Sequence, residues 1–266
     1  MDFKNYYLTE GEKPLDKILP DAGFTSIFRT IGCVGDSLSS GEHESTDESG
    51  TRKGYHDYYE YSWGQYIART AGCKVYNFSR GGMTAKEYVQ SFAESKDFWN
   101  PDLACQAYIL ALGVNDILNQ KQPIGDISDI NFEDYTKNAD TFCGWYAAII
   151  QRLKKIQPKA RFFLMTIPDG NDRGTREQRM EHAALLYKLA EVFDFTYVID
   201  LFKYAPVYDE EFMLHFYLGN HLNAAGYVLT AKMVMSYIDY IIRSAPEDFT
   251  QVGFIGKDVH NYTAKW

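Results

Sequence analysis

The sequence predicts an α/β fold: a mainly parallel sheet with helices packed on both of its faces. Three observations carry this. Short apolar, strand-like runs alternate along the chain with helix-like segments. The most apolar of these runs pass directly into short polar motifs, the signature of strands that end at a functional sheet edge. No shift in composition marks a second domain, so the 266 residues are read as one domain, with a core over about 24–243, an N-terminal extension and a C-terminal tail. A hydrophobic content of 45% is enough to bury a core of that size.

Taken in order, 26–34 (SIFRTIGCV) reads as a buried strand, and 41–54, polar and bounded by glycines, as a loop. Ser62 is placed to cap a helix through Tyr66, Ile67 and Ala68. Strand 74–78 and helix 84–92 follow, then the strongly apolar strand 106–112 (QAYILAL). A polar excursion over 119–130 leads to a long amphipathic helix from about 132 to 156, with Pro158 just beyond its end. Strand 161–167, helix 175–193 and strand 197–201 come next. Asn223 opens a last helix to about 243, and 245–266 reads as a tail draped over the domain.

Lys and Arg number 27 against 36 Asp and Glu, a net charge of −9, which argues against nucleic acid and anionic membrane as main partners. No run reaches the roughly 18 apolar residues of a membrane span. The first twenty residues have no apolar signal core, so a cytoplasmic protein is expected. Glycosylation sequons at Asn77 and Asn261 are read as chance matches. Cys33, Cys73, Cys105 and Cys143 form no C-x-x-C pair and read as reduced structural thiols.

Three strands run into Gly35-Asp36-Ser37, Ser79-Arg80-Gly81-Gly82 and Gly113-Val114-Asn115-Asp116; a fourth polar segment, Gly219-Asn220-His221-Leu222-Asn223, precedes the last helix. Each has an ordinary explanation by itself. Ser37 would cap a helix, Gly82 would permit a turn, Asn115 and Asp116 would make a loop hydrogen bond, and His221 would be a surface histidine. Together, on one edge of a parallel sheet, they supply a hydroxyl, oxyanion donors and an imidazole base, the parts that acyl transfer needs.

At these residues the chain resembles the SGNH hydrolase family, the GDSL esterases and lipases. The four blocks are Gly35-Asp36-Ser37-Leu38, Asn77 through Thr84, Gly113-Val114-Asn115-Asp116, and His221 through Tyr227, in the family's order over roughly 24–243. The resemblance implies a flavodoxin-like three-layer α/β/α sandwich and hydrolysis of esters or thioesters with no metal or cofactor. It implies Ser37 as nucleophile, His221 as base, and an oxyanion hole made by the N–H groups of Ser37 and Gly82 with the Asn115 amide. Asp36 and Asp116 are expected to brace their turns. The family places an Asp three residues before the histidine, where this chain has Leu218. We expect a backbone carbonyl to accept the His221 N–H, giving a Ser–His dyad. A carboxylate relocated from Asp209, Glu210 or Glu211 is the alternative.

The 39–63 connection is long enough to be functional. Its Tyr55, Tyr58 and Tyr59 would suit an amphipathic ligand such as a sugar, or would pack on the core. A metal site from His43, His56 and neighbouring acids lacks a recognised spacing. Asp169 to Arg179 is a second candidate rim. The expected partner is a small-molecule acyl ester, with the acyl group small and the alcohol a carbohydrate. A lipase, lysophospholipase or thioesterase with longer acyl chains, and a catalytically silent binding protein, are the two alternatives.

Overall fold

The computed structural model describes residues 6–170 and 173–257. Five parallel strands form the central sheet: β1 (Thr30–Gly35), β4 (Lys74–Ser79), β5 (Ala107–Ala111), β6 (Arg161–Met165) and β7 (Thr196–Ile199), in the order β4-β1-β5-β6-β7. β2 (Glu42–Thr46) and β3 (Arg52–Asp57) form a separate antiparallel hairpin, and β8 (Tyr217–Leu218) pairs with β9 (His221–Leu222). The helices used below are α1 (Ser37–Ser40), α2 (Trp63–Ala71), α3 (Phe142–Ile156), α4 (Arg176–Val192), α5 (Glu210–Phe216) and α6 (Ala224–Ser244).

Because strand side chains alternate between faces, the sheet divides the interior into two cores. Val34, Phe78, Tyr108, Leu110, Phe162 and Leu164 meet Tyr146, Ile150 and Leu153 of α3 and Leu186 and Leu189 of α4. On the other face Ile31, Cys33, Ile109, Phe163 and Ile199 meet Trp63 and Ile67 of α2 and Tyr227, Val234 and Ile238 of α6. The expected three-layer α/β/α sandwich is therefore present. Both faces need covering because a parallel sheet of this kind is apolar on both sides.

Helix starts follow side-chain caps, two of them, Ser62 and Asn223, read from the sequence. Ser62 Oγ accepts from Gln65 N–H, Thr175 Oγ1 from Gln178 N–H and Asn223 Oδ1 from Gly226 N–H. The expected helix over 132–156 is shorter and starts only at Phe142. Asn131 and Asp134 bind nearby backbone N–H groups, and Asn138 donates to Gly144 O and Gln151 Oε1. Such local bonds compete with helix, so 132–141 forms turns instead. The expected loop over 41–54 holds most of the β2–β3 hairpin. Asp47 Oδ1 accepts from Ser49 and Thr51 N–H and closes its turn. In the tail Phe249, Val252 and Ile255 are buried against α6's side of the sheet, whereas 258–266, with the Asn261 sequon, lies outside the described residues. Asn77 sits on β4 within the sheet.

Candidate active site

The sheet register sets the site. Gly35 lies opposite Ser79 on one neighbour and Ala111 on the other, so the turns after β1, β4 and β5 leave one edge side by side. Ser37 is the first residue of α1, whose cap is Asp36, with Oδ1 accepting from Leu38 N–H at 3.0 Å. The turn after β4 reverses at Gly82, whose φ of +71° favours glycine. A Cβ at the neighbouring Gly81 would overlap Glu42 Oε2, whereas a Cβ at Gly82 meets nothing within 4 Å. Asn115 follows β5. Its Oδ1 accepts from Asn119 Nδ2 at 2.7 Å, and its Nδ2 faces Met83 O at 3.2 Å and Asp36 Oδ2 at 3.4 Å. The amide is held at both ends, with its donors directed at Met83 O and Asp36 Oδ2.

Asp36 and Asp116 hold turns, as expected from the sequence. Asp116 is fully buried and accepts from Ala85 N–H at 2.7 Å, tying the third turn to the second. Burial pushes the Asp36 carboxyl up to about 6 and the Asp116 carboxyl up to about 7, against opposing backbone hydrogen bonds.

His221 is brought to this edge by the β8–β9 pair, in which it lies opposite Leu218. Ser37, Gly82, Asn115 and His221 then line one open cleft with Glu42, Tyr55, Arg173 and Asn220. Beside it a cavity of about 80 Å³, mostly apolar but also reached by Arg173, Arg179 and Asn220, lies between Ser37 and residues such as Leu38, Val114, Leu118, Met165 and Ile167.

The partner of the imidazole differs from both expectations. His221 Nδ1 donates to Glu44 Oε1 at 2.9 Å, not to a backbone carbonyl. The other nitrogen, Nε2, lies 3.4 Å from Glu42 Oε1. Asp209 is occupied elsewhere, since its Oδ1 caps α5 by accepting from Phe212 N–H. Glu210 and Glu211 are exposed in the first turn of that helix, where the positive end of its dipole favours them. Leu218 is 40% exposed. Burial pushes the Glu44 carboxyl up, but hydrogen bonds from His221 and the Asn220 N–H, with Arg52 close by, outweigh it and hold the carboxyl below its usual range. Glu42 is pushed above that range, first by burial and then by Asp57 and Glu44, with His221 opposing.

The sequence missed Glu42 and Glu44 because EHEST carries no apolar alternation. The available signal was Gly219, two residues before the histidine, next to a missing acid.

The tyrosines separate. Tyr55 lines the cleft and presents its ring to His221 edge-on, with centroids 5.3 Å apart. Tyr58 packs instead with His43, His56 and Tyr61. Tyr59 donates its hydroxyl to Val75 O at 2.7 Å and is structural. His43 Nδ1 meets Gly41 O, and His56 Nε2 meets Ser45 Oγ. No group of three or more His, Cys, Asp or Glu among the described residues is arranged to hold a metal ion. Of the second rim, Arg173 and Arg179 line the apolar cavity, and 171–172 lie outside the described residues.

The family model described as GDSL-like lipase/acylhydrolase matches residues 33–229, spanning all four blocks. The chain belongs to that family. No curated protein matches the sequence. Among solved structures, a protein from Lactobacillus plantarum is 16% identical with a TM-score of 0.59, covering 80% of this chain and 97% of its own. A carbohydrate esterase family 2 enzyme with a carbohydrate-binding domain, from Corynascus thermopiles (Myceliophthora fergusii), is 15% identical with a TM-score of 0.54, covering 80% of this chain and 66% of its own. A family two carbohydrate esterase from Clostridium thermocellum, in complex with cellohexaose, is 16% identical with a TM-score of 0.51, covering 83% and 65%. At these identities the likeness is one of fold. Three residues before His221, where the resemblance implies an acid, stands Leu218, 40% exposed. No helix among the described residues is long and apolar enough to cross a membrane.

Proposed function

We propose that the protein hydrolyses a short acyl ester, with Ser37 as nucleophile and His221 as general base. The observation that carries this reading is the convergence of Ser37, Gly82, Asn115 and His221 on one cleft at the carboxyl edge of the sheet. Ser37 Oγ attacks the acyl carbonyl while His221 Nε2 takes its proton. The N–H groups of Ser37 and Gly82 and the Asn115 amide donate to the oxyanion as it forms; one such donor is worth about 10²–10³ in kcat. The imidazolium then returns the proton to the departing alcohol, leaving the acyl group on Ser37. Water, deprotonated by the same nitrogen, releases the acid and restores the hydroxyl.

The size and lining of the apolar cavity beside Ser37 favour a short acyl group over a fatty acyl chain. Half-exposed Tyr55 on the open side would give the alcohol part an aromatic wall, which suits a sugar ring. Two of the fold relatives are named carbohydrate esterases, a further reason to test acetylated sugars first. The test combines a fluorophosphonate probe with p-nitrophenyl esters of two to twelve carbons and a panel of O-acetylated saccharides. Labelling is expected to vanish in Ser37→Ala, with turnover highest on acetyl or propionyl esters. A folded chain that is not labelled and turns over none of these would overturn the reading in favour of a binding protein. A maximum at eight or more carbons would favour a lipase or thioesterase.

A further inference from the structure

We infer that Glu44, carried on the β2–β3 hairpin, is the positioning carboxylate of His221, replacing the acid that the chain lacks at Leu218. The inference rests on the Ser37–His221 reading above and goes one step beyond it. Both oxygens of Glu44 are fixed. Oε1 accepts from His221 Nδ1 at 2.9 Å and from Asn220 N–H at 2.8 Å, while Oε2 lies 3.2 Å from Arg52 Nε. The side chain is only 4% exposed, so these bonds compete little with water. With Nδ1 donating to Glu44, the neutral ring presents Nε2 as the acceptor, the tautomer that a base for Ser37 requires.

Sequence features on both sides of the contact fit it. Gly219 has φ +67°, and a Cβ there would overlap Glu44 Oε2, so this backbone leaves room for the carboxylate. In the hairpin register Glu44 faces Tyr55, whose ring lies against His221 and is covered by the Arg52 guanidinium at 3.7 Å. The hairpin is tied to the nucleophile's own surroundings. Ser40 Oγ donates to Asp57 Oδ1 at 2.9 Å, Tyr58 N–H donates to Gly41 O at 2.9 Å, and Tyr227 of α6 donates to Glu42 O at 2.6 Å. The acid thus enters seven residues after the nucleophile instead of three before the histidine.

A merely structural Glu44 would tie the hairpin down without setting the ring's tautomer. The two roles separate in kinetics. The charged or titratable groups facing His221 are Glu42 and Glu44 on β2, Arg52 and Tyr55 on β3, Asp36 after β1 and Arg173 across the cleft. Removing the Glu44 charge leaves the others in place. Glu44→Gln is expected to lower kcat by about 10²–10⁴-fold with KM changed less than about threefold, and to move the acid limb of kcat/KM to lower pH. Glu44→Asp, which keeps the charge on a shorter stem, should fall between wild type and Gln, with the acid limb unmoved. A folded Glu44→Gln within about threefold of wild type and with an unmoved pH profile would overturn the assignment while leaving the esterase reading intact. If Glu44→Gln does not fold, the ¹⁵N spectrum of the His221 imidazole in the unaltered protein decides: a neutral ring with its proton on Nδ1 supports the assignment, and one with its proton on Nε2 overturns it. Absence of labelling and turnover in the wild type would sink the underlying reading, a result distinguishable from either.

Discussion

Two pairs of carboxylates surround the cleft, and they are built differently. Asp36 and Asp116 stand at the ends of sheet strands and bind backbone N–H groups within their own or an adjoining turn. Both are buried and both are pushed up toward neutral pH by that burial. Glu42 and Glu44 come instead from a hairpin outside the sheet and reach across to the two nitrogens of one imidazole. The first pair acts on backbone and fixes where Ser37 and Asn115 point. The second lies against a titratable side chain, with Glu44 accepting from His221 Nδ1 and Glu42 beside Nε2. Glu44 is nearly as buried as Asp36, so place in the fold, more than depth, sets whether a carboxylate here meets backbone or imidazole.

The sharpest way to break this comparison is to disturb the hairpin pair without touching it. Gly219→Ala puts a methyl group where Glu44 Oε2 sits, at a φ of +67° that an L side chain rarely adopts. We expect kcat to fall by about 10²-fold or more and stability to fall by about 1–3 kcal/mol. Gly72→Ala, at the end of α2, is the control for strain, because its φ of +66° is similar and its Cβ meets nothing within 4 Å. It should cost comparable backbone strain without moving the acid limb of the pH profile. Denaturant curves and pH–rate profiles of the two variants check this. Equal profiles for both would show that Glu44 contributes only to packing.

The strand-edge pair predicts a pH-dependent stability. The Asp116 carboxyl rises from an ordinary value near 3.8 to about 7 on folding, so the folded protein holds that proton more tightly than the unfolded chain does. Its contribution is fully present below about pH 4 and is lost as pH rises toward 7. Asp116→Asn removes the loss. The stability difference between variant and wild type should therefore shift in favour of Asn by about 1–4 kcal/mol between pH 4.5 and pH 8. Urea titrations at the two pH values measure it, and a difference that stays flat would mean that the buried carboxyl remains ionised in the folded state.

The same contrast explains what could be read in the chain alone. The placement of Ser37, Gly82 and Asn115 at one cleft was legible because each follows an apolar strand directly, and parallel strands carry their ends to one edge whatever the rest of the chain does. His221 was legible through its block ahead of the Asn223 cap. The contact of Glu44 with His221 was not, because it depends on a tertiary approach that no local pattern encodes. Its hairpin is polar on both faces and lacks the apolar alternation by which strands are found. Asp209 invited the wrong reading for a related reason, since an acid two or three residues before an apolar run is as well suited to capping a helix as to orienting a histidine. The helix start at Phe142 was missed because Asn131, Asp134 and Asn138 spend their side chains on turns.

The smallest expected effect concerns the position where the family carries its acid. Leu218 lies across from His221 in the β8–β9 pair, 40% exposed, and the ring's Nδ1 is already engaged by Glu44. Leu218→Asp in the otherwise unchanged chain should alter kcat by less than about threefold and stability by no more than about 0.5 kcal/mol, as for a surface substitution. Steady-state kinetics and thermal melts are sufficient to check it. A tenfold gain in kcat would mean that Nδ1 prefers an acid from its own strand pair, and that the hairpin carboxylate is a poor substitute. A neutral result would leave the imidazole with one oriented partner, supplied from outside the sheet.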